Sequence, residues 1–351
     1  MKVSIVIPTL NAAPALDECL KAIRLQDFPQ DDIEIIIADA GSSDDTRAVA
    51  NRYHVTRISD NPLKTAEAGK AVGISISTGD VIALIDSDNI LPDASWLVQM
   101  TAPFEDSTIF ATEPIRYSAR TTDSSLTRYF AALGMNDPLC LFTGNYDRFC
   151  AITQRWTGCS LKTTRVQTSS RVTYTQILPD PSVNLPTIGA NGFIFRRKIL
   201  SSVHAAPYFF DIDVASEAYH AGCGSIAKVE TSIIHLYCST LKDFVRKQNR
   251  RITDFLYFNK EKSRTYTWKP HILRGPVLMS LSAITILPLL IQQLLLLIHS
   301  PKGSRLATLW HLPVVYSTLF IYARAVIKKA LGLNVMPADR ATWQQVGSKA
   351  N

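Results

Sequence analysis

Three short apolar runs rich in β-branched residues, VSIVIP at 3–8, IEIIIA at 33–38 and VIALI at 81–85, limit what this chain can fold into more than any other feature. A strand with one wet face alternates polar and apolar residues, so runs this apolar are strands covered on both sides. Residues 15–25 and 44–53 lie between them and repeat their apolar positions at helical spacing. Strands alternating with helices need right-handed crossovers, which give an α/β fold with a mostly parallel sheet and helices on both faces. Ligands bind such sheets beyond the carboxyl ends of the strands. Three loops at those ends carry acids or small polar residues: Pro8-Thr9-Leu10-Asn11, the stretch 39–44 (DAGSSD), and Asp86-Ser87-Asp88. The first strand is not followed by Gly-x-Gly-x-x-Gly, which argues against a dinucleotide-dependent oxidoreductase. Residues 118–184 follow no period and are expected to hold acceptor-facing loops or helices.

At 351 residues the chain can build one large core and an accessory region. Its apolar residues concentrate between Gly275 and Ile327. Residues 277–298 run for about 22 positions without a charge, enough to cross a hydrocarbon layer of roughly 30 Å as a helix. Residues 306–327 form a second candidate, interrupted by His311, Pro313 and Arg324. If both cross, the tail returns to the side of the catalytic domain, in keeping with Lys328, Lys329 and Arg340 but not with Lys302 and Arg305 in the connection. A re-entrant hairpin bent at Pro288 and Pro313 removes that conflict. The expected organisation is a catalytic domain over 1–240, a basic juxtamembrane segment over 241–275, a membrane hairpin over 276–328 and a cytosolic tail over 329–351.

The formal charge of +7 has a definite address, 242–251 (KDFVRKQNRR) and 260–274, directly before the apolar stretch. That position suits phosphorylated substrates and anionic membrane lipids, and not nucleic acid. The six cysteines lack the paired spacings of a zinc or redox site and read as free thiols in a reducing compartment. The first apolar run is too short for a signal peptide, so the catalytic domain is expected on the cytosolic face of the cytoplasmic (inner) membrane.

Asp86 and Asp88, at alternate positions of a strand end, share a side. Hard oxygen ligands in a rigid, open place suit Mg2+ or Mn2+ bridging a diphosphate; otherwise the pair is a solvated turn. With these residues the chain resembles the GT-A glycosyltransferases of family 2, over roughly residues 2–251. Four segments carry the resemblance in order: VSIVIPTLN, IIIADAGSSDDT, AGKAVGISISTGDVIALIDSDN and GANGFIFRR. The resemblance implies a Rossmann-like GT-A domain using a UDP- or GDP-linked sugar. It places Pro8, Thr9 and Asn11 in the nucleotide pocket, Asp39 at the base, Lys70 and Ser87 among the donor contacts, Asp86 near ribose or metal, and Asp88 on the metal. Gly189, Ala190, Asn191 and Gly192 would form the floor where donor and acceptor meet. Asp39 could equally be a turn acid, since Gly41 and Ser42 follow it.

Relatives that glycosylate a hydroxyl carry two acids after the glycine segment, the second being the general base. Here FFDID at 209–213 replaces the first acid with phenylalanine and leaves Asp211 in the base position, where flanking aromatics would raise its pKa. Asp211 and Asp213 are also placed to cap a helix starting near Val214, Asp213 the better of the two. His235 resembles the late histidine that completes the metal site in relatives, and is alternatively a structural strand-end residue. Gln248, Arg250 and Arg251 resemble the Gln-x-x-Arg-Trp segment of processive relatives, with Ile252 in place of tryptophan, which favours transfer of a single sugar. Both arginines suit phosphate oxygens or anionic lipid. The resulting expectation is inverting, metal-dependent transfer of one sugar to a lipid-linked or glycan acceptor at the membrane, such as a polyprenyl-diphosphate-linked glycan in cell-surface polysaccharide or glycoconjugate synthesis. A polyprenyl-phosphate glycosyl synthase and a non-catalytic membrane scaffold remain as alternatives.

Overall fold

The computed structural model describes residues 1–260, 264–266 and 274–332. Ten strands form one sheet: β1 (Val3–Thr9), β2 (Ile33–Asp39), β3 (Arg57–Asp60), β4 (Val81–Leu84), β5 (Asn89–Ile90), β6 (Ile109–Ser118), β7 (Thr163–Gln167), β8 (Thr173–Ile177), β9 (Phe193–Arg196) and β10 (Ser225–His235). Their order is β3-β2-β1-β4-β9-β6-β10-β8-β7, with β5 paired to β10. The helices are α1 (Ala13–Arg24), α2 (Thr46–Arg52), α3 (Ala66–Ile76), α4 (Trp96–Thr101), α5 (Ser125–Leu133), α6 (Leu139–Thr143), α7 (Asp211–His220), α8 (Leu241–Lys260), α9 (Arg274–Thr285), α10 (Leu287–His299) and α11 (His311–Ala330).

The three apolar runs are β1, β2 and β4, parallel neighbours whose residues are buried on both faces. β1 alternates its side chains between two cores, Val3, Ile5 and Ile7 into one and Val6 into the other. The sheet is mostly parallel, as expected, since β6 and β10 also pair in parallel, but it is a mixed sheet. β9 enters antiparallel between β4 and β6, and β7 and β8 extend the far edge as an antiparallel hairpin. That hairpin, with α5 and α6, occupies the stretch in which no period could be read.

The apolar C-terminal segments depart from an unbroken crossing pair: the first bends beside Pro288, where the re-entrant alternative set a bend, and the second does not bend at Pro313. Residues 277–298 do not form one helix: α9 and α10 meet at 94°, and Ile286 between them has φ +55°. Pro288 lies in the first turn of α10, where it has no N–H with which to continue a helix from α9. The second segment, expected to be the interrupted one, is instead continuous. A 3-10 helix, Lys302–Trp310, runs into α11, and Lys302–Ala330 is the one helix among the described residues long and apolar enough to cross a membrane. Pro313 is tolerated because it falls in α11's first turn. Arg340, the tail beyond residue 332 and residues 267–273 of the basic segment lie outside the described residues.

Candidate active site

A cavity of about 570 Å3 opens where β1, β4 and β10 end, and is walled further by α6 and α8. Pro8, Lys70, Asp86, Ser87, Asp88, Ala190, Asn191, Asp211, His235, Arg250 and Arg251 all line it, so most of the sequence-derived site converges from positions far apart in the chain. Thr9, Asn11, Asp39, Gly189, Gly192 and Gln248 do not line it.

Lys70 organises the centre. Its ammonium is buried, 2.5 Å from Asp211 Oδ2 and 3.4 Å from Asp86 Oδ1. Burying an ammonium is costly unless carboxylates surround it, and here two do. For Asp211, burial outweighs the attraction of Lys70 and pushes the carboxyl up to about 6. Its other oxygen, Oδ1, is buried without a hydrogen-bond partner among the described residues, an acceptor left open for an incoming proton. Asp211 is set there by the backbone: a Cβ on Gly189 would sit 2.4 Å from the Asp211 carbonyl oxygen, so only glycine permits this approach. A carboxylate acting as general base, the role expected of Asp211, works only when deprotonated. kcat/KM should therefore rise with pH through about 6 and level off above it, checked by a pH–rate profile; a flat profile between about pH 5 and 8 would contradict the assignment.

Asp88 and His235 face one another, Oδ1 to Nε2 at 3.6 Å, with the Asn136 carboxamide 3.3 Å from Nδ1 to orient the ring. Lys247 lies 3.5 Å from Asp88 Oδ2. Although burial acts to raise it, the Asp88 carboxyl is held far below the usual range by His235 and Lys247. Among the described residues no three His, Cys, Asp or Glu side chains form a ready metal cluster. Two converging donors, Asp88 and His235, nevertheless fit Mg2+ or Mn2+, which takes few protein ligands and completes its shell with water and substrate phosphate.

Other expected residues have different work. Asp39 is buried and accepts from Thr9 Oγ1 at 3.1 Å and Ser42 Oγ at 2.6 Å, so the turn-acid reading describes its contacts here. Asn11 accepts from the Ser43 N–H at 2.8 Å, pinning the same two loops. Gln248 is fully buried and donates to Asp137 Oδ2 and Tyr322 Oη, so it fastens α8 to α11 and has no free face for phosphate. Asp213 caps no helix: Asp211 opens α7 without a side-chain cap bond, and the Asp213 carboxylate instead grips Arg264 twice, at 2.6 and 3.1 Å, and the backbone N–H of Thr265 and Tyr266. Arg264, thus anchored, lies over the Phe210 ring at the cavity wall.

A second buried network escaped the sequence reading. Glu113, Arg148 and Lys228 are fully buried. Glu113 Oε2 lies 2.6 Å from Arg148 and 2.5 Å from Lys228, and Asp147 also pairs with Arg148. Glu113 Oε1 accepts the Gly189 N–H at 2.9 Å, while Arg148 donates to the Ala190 carbonyl at 2.8 Å. The network thus holds the loop that supports Asp211. Glu113 and Lys228 are register partners of β6 and β10, but these strands also carry Arg116 and Glu230, so nothing in the sequence singled out the buried pair.

Comparison with known proteins adds the lineage. A family model described as Glycosyl transferase family 2 matches residues 4–203, more than half of the 351-residue chain. Glycosyltransferase AglE of Haloferax volcanii is 29% identical over 100 residues, 27% of this chain and 33% of that protein. GalNAc(5)-diNAcBac-PP-undecaprenol beta-1,3-glucosyltransferase of Campylobacter jejuni is 30% identical over 96 residues, 26% of this chain and 30% of its own length. The matched stretch spans a third or less of these relatives. Among solved structures, mannosyltransferase PcManGT from Pyrobaculum calidifontis aligns with a TM-score of 0.47 and 16% identity, covering 94% of this chain and 79% of that one. The chain belongs to glycosyl transferase family 2 and has the GT-A fold of that family.

Proposed function

We propose that this enzyme transfers one sugar, with inversion, from a nucleoside diphosphate donor to a hydroxyl of an acceptor carried at the membrane. The observation that carries the proposal is the Asp211 carboxylate, with one oxygen held by Lys70, one open, and a pKa near 6, in the same cavity as Asp86, Asp88 and His235. Asp211 takes the acceptor proton as its oxygen attacks the anomeric carbon. Lys70 orients Asp211 and supplies positive charge beside Asp86. Asp88 and His235, with Asp86, would hold Mg2+ or Mn2+, which when bound neutralises charge on the leaving diphosphate.

Arg250 and Arg251 of α8, and Arg264 over Phe210, line the cavity with guanidinium groups suited to phosphate on an acceptor. A membrane-borne acceptor is supported by the α8 and α6 walls, which pack on α11 and α9. It also accords with the Campylobacter relative, whose name describes an undecaprenol-linked substrate. The catalytic domain would face the cytosol, where nucleotide sugars are made. Removing divalent cations with EDTA should abolish transfer, and Mn2+ or Mg2+ should restore it. Full activity after exhaustive chelation would overturn the metal assignment.

A further inference from the structure

Apart from Met1, Leu25, Leu63, Val98 and Leu178, every exposed large apolar side chain among the described residues lies between Val277 and Leu331. On α10, Leu287, Leu290, Ile291, Leu294, Leu297 and Ile298 form one outward stripe at helical spacing, while Leu289 and Leu296 pack inward. A stripe this long and free of polar side chains marks a surface built to be covered.

Length and anchoring decide how it is covered. At 1.5 Å per residue α9 and α10 rise about 18 and 20 Å, each short of the roughly 30 Å hydrocarbon layer. Both arms of their bend return to the catalytic domain. Gly275 packs on Thr143 so closely that a Cβ would come within 2.3 Å of its methyl, and His299 Nδ1 lies 3.0 Å from the Ala151 carbonyl oxygen. The bend itself is left outward, with Ile284 79% and Leu287 62% exposed.

Lys302–Ala330 is long enough to cross, but it is fastened to the same domain at successive points. Arg128 donates to the Gly303 carbonyl at 2.6 Å, and Trp310 Nε1 to Ser125 Oγ at 2.9 Å. His311 Nδ1 lies 3.0 Å from Tyr129 Oη, and Tyr322 Oη donates to Asp137. From Trp310 to Tyr322 the helix rises about 18 Å. Crossing a bilayer over that length would draw Ser125, Tyr129 and Asp137 into hydrocarbon, from which a carboxylate is strongly excluded.

We infer that residues 274–332 form a monotopic membrane-docking surface, with the apolar face of α9, α10 and α11 sunk into one phospholipid leaflet and no helix crossing it. Lys302, Arg305, Arg324, Lys328 and Lys329 are all exposed, so all five cations stay on the side of the catalytic domain and meet anionic headgroups. This removes the conflict that Lys302 and Arg305 pose for a crossing pair. The same cations disfavour a second copy of the chain as the covering partner, because they would face their own kind. Docking in this manner sets α6 and α8, two walls of the cavity, beside the lipid surface.

Topology and lipid binding test this with the full chain. In sealed native membrane vesicles of each orientation, Lys302→Cys and Leu331→Cys should react with a membrane-impermeant maleimide only where an N-terminal tag is open to protease, with the parent chain as blank. Labelling of Lys302→Cys in the opposite orientation overturns the inference. Purified protein should sediment with phosphatidylcholine vesicles containing phosphatidylglycerol, and less with phosphatidylcholine alone. The double variant Ile284→Glu/Leu287→Glu should cut the bound fraction by about tenfold, with donor hydrolysis unchanged. A parent chain that ignores both vesicles but forms a dimer that this variant dissociates would make the face a contact between copies, and would equally overturn it.

Discussion

Asp211→Asn should lower kcat by about 10²- to 10⁴-fold, the usual contribution of a positioned general base, while leaving donor affinity nearly unchanged. A loss of 10³ is about 4 kcal/mol of transition-state stabilisation. The amide is isosteric, and Lys70 keeps the partly exposed Asp86 at 3.4 Å, so the fold should survive with some loss of stability; a cooperative thermal transition well above the assay temperature would establish that. The pH dependence near 6 should vanish with the carboxylate. Steady-state kinetics at several pH values would separate these effects. If activity survives nearly intact, the acceptor oxygen is already anionic, as in a polyprenyl phosphate, and no proton needs removing. If donor affinity collapses instead, Asp211 contributes to binding and not to proton transfer.

The other large effect concerns stability. Glu113→Gln or Lys228→Met should each destabilise the domain by about 3–5 kcal/mol, because each leaves a buried charge without its main partner. Burial pushes the Glu113 carboxyl up, but Arg148 and Lys228 outweigh it and hold it below the ordinary range, whereas Lys228, desolvated and beside Arg148, is pushed down to about 8. For a domain of this size the loss corresponds to a fall in Tm of roughly 6–20 °C. The double variant should cost less than the sum of the singles, since it removes both charges of the pair at once. Thermal unfolding of the three variants closes the cycle, and single variants within about 1 kcal/mol of the parent would show that the network is not held together by these charges. Because Glu113 and Arg148 hold Gly189 and Ala190, the folded fraction of either variant should also turn over more slowly.

Which parts of this protein could be read from its sequence follows from how local their causes are. β1, β2 and β4 were legible because a strand buried on both faces must be apolar throughout, and Asp86 and Asp88 because they end such a strand. Asp211 was placed by the resemblance of FFDID to the acid pair that follows the glycine segment in relatives, and the close approach of Gly189 to the Asp211 carbonyl brings those two segments together. The rest depends on partners distant in sequence. Asp213 has the look of a helix cap, yet Arg264 and the backbone of Thr265 and Tyr266, more than fifty residues on, claim its oxygens. Gln248 resembles a substrate-binding residue, but Tyr322 and Asp137 occupy its amide. The β7–β8 hairpin is too polar and exposed to show a period. Residues 277–298 have the composition of a crossing helix, and a single proline near the middle breaks them.

The cavity joining Lys70, Asp88, His235 and Asp211 is proposed as a metal-dependent sugar-transfer site. It is tested most directly by screening UDP- and GDP-linked sugars with the purified full chain in lipid, with and without Mn2+, for release of nucleoside diphosphate. At least one donor should be consumed, only when the metal is present, and at a rate that Asp88→Asn and Asp211→Asn each reduce sharply. Absence of metal-dependent binding or turnover with every donor would contradict the account and leave the chain as a membrane scaffold on a retained GT-A fold.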